Sequence, residues 1–132
     1  FISSVDAIIM GRNTFETVAG FDCDWPYPVP VYVLSTTLTI IPEGFQDKVE
    51  ILSGPIKESL LSLSRDGLNN IYIDGGKTIQ RFIEQDLIDE MIVTTIPILV
   101  GGGPRLFGEL ENKCEWELLS SEIYLNALVQ SC

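Results

Sequence analysis

The sequence predicts an α/β domain in which helices flank a mixed, mostly parallel sheet. Three observations carry that expectation. Short apolar and β-branched runs alternate with stretches of helical hydrophobic period along most of the chain. Two strand-to-helix passages are marked by glycine, at Gly11 and at Gly75-Gly76. The chain closes on two apolar runs with no helix between them, the pattern of an antiparallel pair. The 132 residues suffice for one domain with a real core, and no repeat or low-complexity linker divides them.

The elements follow in order. Val5 to Met10 reads as a buried strand. Asn13 is the expected N-cap of the next helix, with Glu16 three residues on as its capping partner. Gly20 is expected to stop that helix. Phe21 to Pro30 is a loop carrying Asp22, Asp24, Trp25 and three prolines, and Val31 to Leu34 is the next strand. Ser35-Thr36-Thr37 leaves it as a polar turn. Val49 to Leu52 is a short strand, and Ser53-Gly54-Pro55 opens a helix with Pro55 in its first turn. Ile56, Leu60 and Leu63 form its apolar stripe. Ile71 to Ile73 is a strand that meets Asp74-Gly75-Gly76, and a helix follows with Ile79, Phe82 and Ile83 on one face. Glu90 to Ile96 is a β-branched strand, residues 97 to 108 a glycine-rich loop, and Glu115 to Tyr124 and Ala127 to Ser131 the closing pair.

Composition narrows function. The apolar share of 45% argues against disorder. No apolar run reaches the roughly eighteen residues a membrane span requires. No basic region precedes the apolar start, so no signal-peptide pattern is visible, and the odd, irregularly spaced cysteines lead to the expectation of a reducing, cytoplasmic location. Phe1 and Cys132 both lie inside apolar patterns, so both ends read as trimmed. The net charge of -11, from 19 acidic and 8 basic residues, argues against nucleic acid and anionic membranes. An anionic cofactor stays compatible if its cationic contacts are local, and Arg12, Lys77 and Arg105 stand beside the glycine turns. Cys23, Cys114 and Cys132 make neither a disulfide framework nor a thiolate metal motif. Histidine is absent, which removes Ser-His-Asp, Cys-His and histidine-metal chemistry. No metal is expected.

Three constellations are candidates for ligand contact. Gly11-Arg12-Asn13-Thr14 combines a glycine, a guanidinium fork and a helix start, suited to a pyrophosphate. The plainer reading is a tight turn, a capped helix and a surface arginine. Asp74-Gly75-Gly76-Lys77-Thr78 permits close backbone approach to an anion but lacks P-loop and dinucleotide-fingerprint spacing; taken alone it reads first as an ordinary strand-to-helix turn with Lys77 facing solvent. Gly101-Gly102-Gly103-Pro104-Arg105 serves either a ligand or a flexible connection. Trp25 and Tyr27 line an aromatic pocket or cap the core, Asp22 and Asp24 read as solubilising acids, and Cys23 has no base partner.

Met10-Gly11-Arg12-Asn13-Thr14-Phe15-Glu16 closely resembles the signature of the dihydrofolate reductase-like superfamily. The resemblance is strongest to the reductase domain of the bifunctional riboflavin-biosynthesis deaminase-reductase and its stand-alone bacterial relatives. Val33-Leu34-Ser35, Ile73-Asp74-Gly75-Gly76 and the run from Ile96 to Phe107 resemble further motifs of that branch, in the same order. The resemblance implies a three-layer α/β/α domain over residues 1–132 that lacks its N-terminal strand and helix. It implies NADPH along the strand ends, with Gly11, Arg12 and Thr14 at the pyrophosphate, and Ser35 and Thr36 near the adenosine ribose phosphate. Gly75, Gly76, Lys77 and Thr78 would complete the cradle. Hydride transfer to a small pteridine- or pyrimidine-like heterocycle and a homodimer are also implied. Thr36 and Thr37 stand where relatives often carry a basic residue, which leaves NADH beside NADPH. No catalytic residue is assigned. A non-catalytic nucleotide-binding module and a purely structural or interaction domain remain the alternatives.

Overall fold

The computed structural model describes residues 2–111, 113–125 and 128–132. The chain divides into two compact units, Phe1–Ile79 and Gln80–Cys132.

In the first unit a short 3-10 turn, Ile2–Ser4, leads into β1 (Ala7–Gly11), α1 (Arg12–Ala19), β2 (Val31–Leu34), β3 (Val49–Leu52), α2 (Ile56–Arg65) and β4 (Ile71–Asp74). The four strands form one parallel sheet in the order β3-β2-β1-β4. Central β1 is buried from Ala7 to Met10, as a strand covered on both faces must be. The chain moves from β1 toward β2 and later returns past β1 to β4. Right-handed crossovers in opposite directions put α1 and α2 on opposite faces of the sheet, which makes the three layers. On one face Ile8, Met10, Val31, Val33 and Val49 pack with Phe15 of α1, and Trp25, Tyr27 and Phe45 close over them. Phe15 meets Trp25 and Phe45 edge to face, with centroids 6.3 and 5.7 Å apart.

The second unit begins within α3 (Gly76–Glu84), which continues the chain out of the first. β5 (Val93–Thr95), β6 (Ser121–Tyr124) and β7 (Leu128–Ser131) form an antiparallel sheet in the order β5-β7-β6. β7 is therefore paired on both edges within the chain. Of the expected last strand, Ala127 lies outside the described residues. β5 and β6 are shorter than their apolar patterns suggest, because a β-branched run becomes a strand only where a ladder partner faces it. Short of β6, the N–H groups of Leu119 and Ser120 both reach the Cys132 carbonyl, so pairing there is irregular.

The expected helix starts need two corrections. α1 is capped by Gly11 with no side-chain hydrogen bond, not by Asn13, and Glu16 does not cap it. The β1 ladder carries extended backbone as far as Gly11, so the helix begins one residue later. Pro55 precedes α2 as its extended N-cap and does not lie in the first turn as expected, and Ser59 is buried in the helix's stripe beside Ile56 and Leu63. Beyond the Asp66 cap, Gly67 takes φ +86 and Leu68 donates to the Leu63 carbonyl, a left-handed helix end.

Candidate nucleotide site

Parallel register brings three strand ends side by side. Gly11 is level with Leu34, and Met10 with Asp74. Ser35, Arg12 and Gly75 therefore leave the sheet at one edge, the carboxyl edge where open α/β sheets bind ligands. The order in which strands are added reverses between β1 and β4, so their ends open the crevice. α1 and α3 both start there, and their first-turn N–H groups lack intrahelical acceptors.

The glycines are explained by their neighbours. A Cβ on Gly11 would lie 2.7 Å from Thr78 Oγ1, although Gly11 itself is ordinary extended backbone. A Cβ on Gly75 would collide with Thr14 Oγ1, and Gly75 also holds φ +91. Gly11, Thr14, Gly75 and Thr78 thus interlock across the β1–β4 junction. Thr78 is only 6% exposed, and among the described residues neither threonine hydroxyl makes a hydrogen bond. Gly76 has open space around it, and Lys77 is exposed.

Arg12 belongs to the other side of the motif, toward β2. Its Nε donates to Glu16 Oε1 at 2.6 Å and its Nη1 to Thr37 Oγ1 at 3.1 Å. Ser35 Oγ accepts the N–H groups of Thr37 (3.1 Å) and Leu38 (2.9 Å), which folds the turn after β2. Thr36 is exposed beside it. Two subsites result: a guanidinium with hydroxyls at the β2 end, and a tight glycine-threonine cradle at the β1–β4 crevice.

Asp74 was not among the expected site residues. Its Oδ1 accepts the Gly75 N–H at 2.8 Å, and its Oδ2 accepts a long 3.5 Å bond from the Tyr27 hydroxyl. Burial first, then the Asp74 charge, raises the Tyr27 phenol above its ordinary value. Glu16 and Thr37 were also missed. The i, i+4 spacing of Arg12 and Glu16 is a signal that would have found the first; nothing local marks Thr37.

A cavity of about 360 Å³ lies elsewhere, where β2 and β3 begin, lined by Trp25, Tyr27, Val31, Lys48 and Val49 among others. It is set by the aromatic loop and not by the strand ends that gather the hydroxyls. The cysteines are free, and no metal-ligand cluster occurs among the described residues. No described helix is long and apolar enough to cross a membrane. Gly101 and Gly103 take positive φ in the second unit, where Gln80 Nε2 donates to the carbonyls of Arg105 and Leu106.

The fold and site define an open α/β domain with a crevice at a topological switch point. The chain belongs to the RibD C-terminal domain family, whose model matches residues 2–129 and so spans both compact units. It is 31% identical over 131 residues to the uncharacterized protein YwjB of Bacillus subtilis (strain 168), covering 97% of this chain and 73% of that protein. It also resembles the crystal structure of a Shewanella sp. PV-4 protein provisionally assigned to riboflavin biosynthesis. The TM-score is 0.96 and the identity 49%, over 98% of this chain and 73% of that one. The RibD of Acinetobacter baumannii shares the fold at a TM-score of 0.73 and 20% identity, over 96% of this chain and 46% of its own.

Proposed function

We propose that this protein is an NADPH-dependent reductase that transfers hydride to a small pteridine- or pyrimidine-like heterocycle, in the cytoplasm and as a homodimer. The observation that carries the reading is the interlocked Gly11, Thr14, Gly75 and Thr78 cradle at the switch point, in a member of the RibD C-terminal family. The donor set fits a dinucleotide. Two helix starts and two hydroxyls without protein partners suit a pyrophosphate; Arg12, which the resemblance put at the pyrophosphate, is instead bonded to Thr37 and with Ser35 and Thr36 suits the adenosine ribose and its phosphate. Lys77, exposed on the first turn of α3, adds a cation within reach of solvent-side oxygens.

The nicotinamide supplies the hydride when the nucleotide is bound. The chain's own part is to fix the phosphates at the carboxyl edge and so set the reach of the rest of the molecule along the crevice. Asp74 holds the Gly75 N–H inward, which keeps that turn in the shape the threonines require.

Titration of the intact protein with NADPH and NADH tests the reading. Saturable NADPH binding with heterocycle-dependent oxidation is expected. Binding without turnover would favour a non-catalytic nucleotide module, and no binding of either nucleotide would overturn the proposal. Arg12→Ala should weaken NADPH binding about tenfold or more, the worth of one charge-assisted hydrogen bond.

A further inference from the structure

We propose that Glu16 is a specificity-determining positioning residue: it aims the Arg12 guanidinium and at the same time discounts its charge against a ribose 2′-phosphate. The inference rests on the nucleotide reading above and concerns which nucleotide the same site prefers.

Arg12 carries five N–H donors in one plane. Glu16 takes Nε, and Thr37 takes one hydrogen of Nη1. Both hydrogens of Nη2 and one of Nη1 remain for a phosphate oxygen to accept. Glu16 thus engages Nε and leaves the Nη2 donors open. The carboxylate and Thr37 together fix the plane of the fork, and Thr37 is in turn tied to Ser35, whose hydroxyl takes the Thr37 N–H. The fork is therefore held at the end of β2, beside Thr36.

The charge works the other way. Glu16 lies one hydrogen bond from the guanidinium, and both side chains are about half exposed, at 47% and 45%. A phosphate on the fork lies near enough to feel the carboxylate through water. Arg12 is the only cation in the hydrogen-bonded group formed by Glu16, Ser35 and Thr37. Geometry and charge therefore oppose each other at one residue. NADPH and NADH differ by the 2′-phosphate alone, so the discount falls on the first and spares the second.

Glu16→Gln and Glu16→Ala separate the two effects. Glutamine keeps an oxygen for Arg12 Nε and removes the charge; alanine removes both. Calorimetric titration of the intact protein with NADPH and with NADH is the readout. Glu16→Gln is expected to tighten NADPH about threefold to fivefold while NADH changes less than about twofold, a range set by exposed charge pairs. Glu16→Ala is expected to bind NADPH more weakly than Glu16→Gln. The gain should vanish when Arg12→Ala is added to Glu16→Gln, as coupled residues require. An unchanged NADPH-to-NADH ratio in Glu16→Gln, an equal change for both nucleotides, or a gain that survives without Arg12 would overturn the role of Glu16 and leave the nucleotide reading standing. Wild-type protein that binds neither nucleotide would overturn both.

Discussion

At the scale of single residues, the cradle depends on side chains that are missing as much as on those present. Gly75 is constrained twice, by φ +91 and by the Thr14 hydroxyl where a Cβ would stand. Gly75→Ala is expected to cost about 1–3 kcal/mol in chemical denaturation, part from the left-handed backbone and part from the collision. Adding Thr14→Ala should return the steric part and leave the backbone part. Asp6 makes a separate prediction. Its carboxylate accepts the N–H groups of Asn70 and Asn69, at 2.8 and 2.9 Å, and these bonds hold it below its ordinary value of 3.8. A carboxylate depressed in the folded state adds stability above its ordinary value, and that stability is lost as pH falls through the folded value. Asp6→Asn should therefore flatten the acid limb of the stability–pH curve measured by urea unfolding; an unchanged limb would refute the linkage. Gly11 and Gly75 were legible as turn residues, but the atoms they make room for were not. Thr78 and Thr14 reach them across strands, and one-dimensional spacing carries no sign of that.

At the scale of elements, legibility followed local chemistry. β2 and β3 lie where their apolar runs lie, and α2 begins directly after Pro55, which stands as its N-cap. The failures are non-local. α1 starts earlier than an Asn13 cap implies, since the β1 ladder with β2 decides where extended backbone ends. β5 and β6 are trimmed by the length of β7 available to pair. The α1 layer rests on Phe15, fully buried between the sheet and Trp25 and Phe45. Phe15→Ala should cost about 3–5 kcal/mol, whereas Phe15→Leu, which keeps most of the volume, should cost less than half of that. Equal losses would mean that restoring volume rescues nothing and that the ring itself carries the contribution. Because α1 also carries Thr14 and Arg12, Phe15→Ala should weaken nucleotide binding beyond its effect on stability.

At the scale of the whole molecule, the two units differ in what they cover. The first has a closed aromatic and aliphatic core, while the second leaves large apolar side chains in water. Ile123 is 73% exposed and Leu99 fully so, with Ile98, Leu118 and Leu119 also exposed. These side chains are the ones we propose for the homodimer contact. Sedimentation of the intact protein should give a dimer that Ile123→Lys shifts toward monomer; a wild-type monomer at all concentrations would remove the homodimer from the proposed function. The order β3-β2-β1-β4 has one more consequence, and it concerns folding. Gly11 and Gly75 come from opposite ends of the first unit and meet only when β4 docks on β1. Closing that long loop is an entropic hurdle that hairpins and lone helices do not face. The glycine-threonine cradle is thus among the last things this sheet acquires. In refolding experiments nucleotide affinity should return with the slowest phase, after the fluorescence of the Trp25 cluster has recovered.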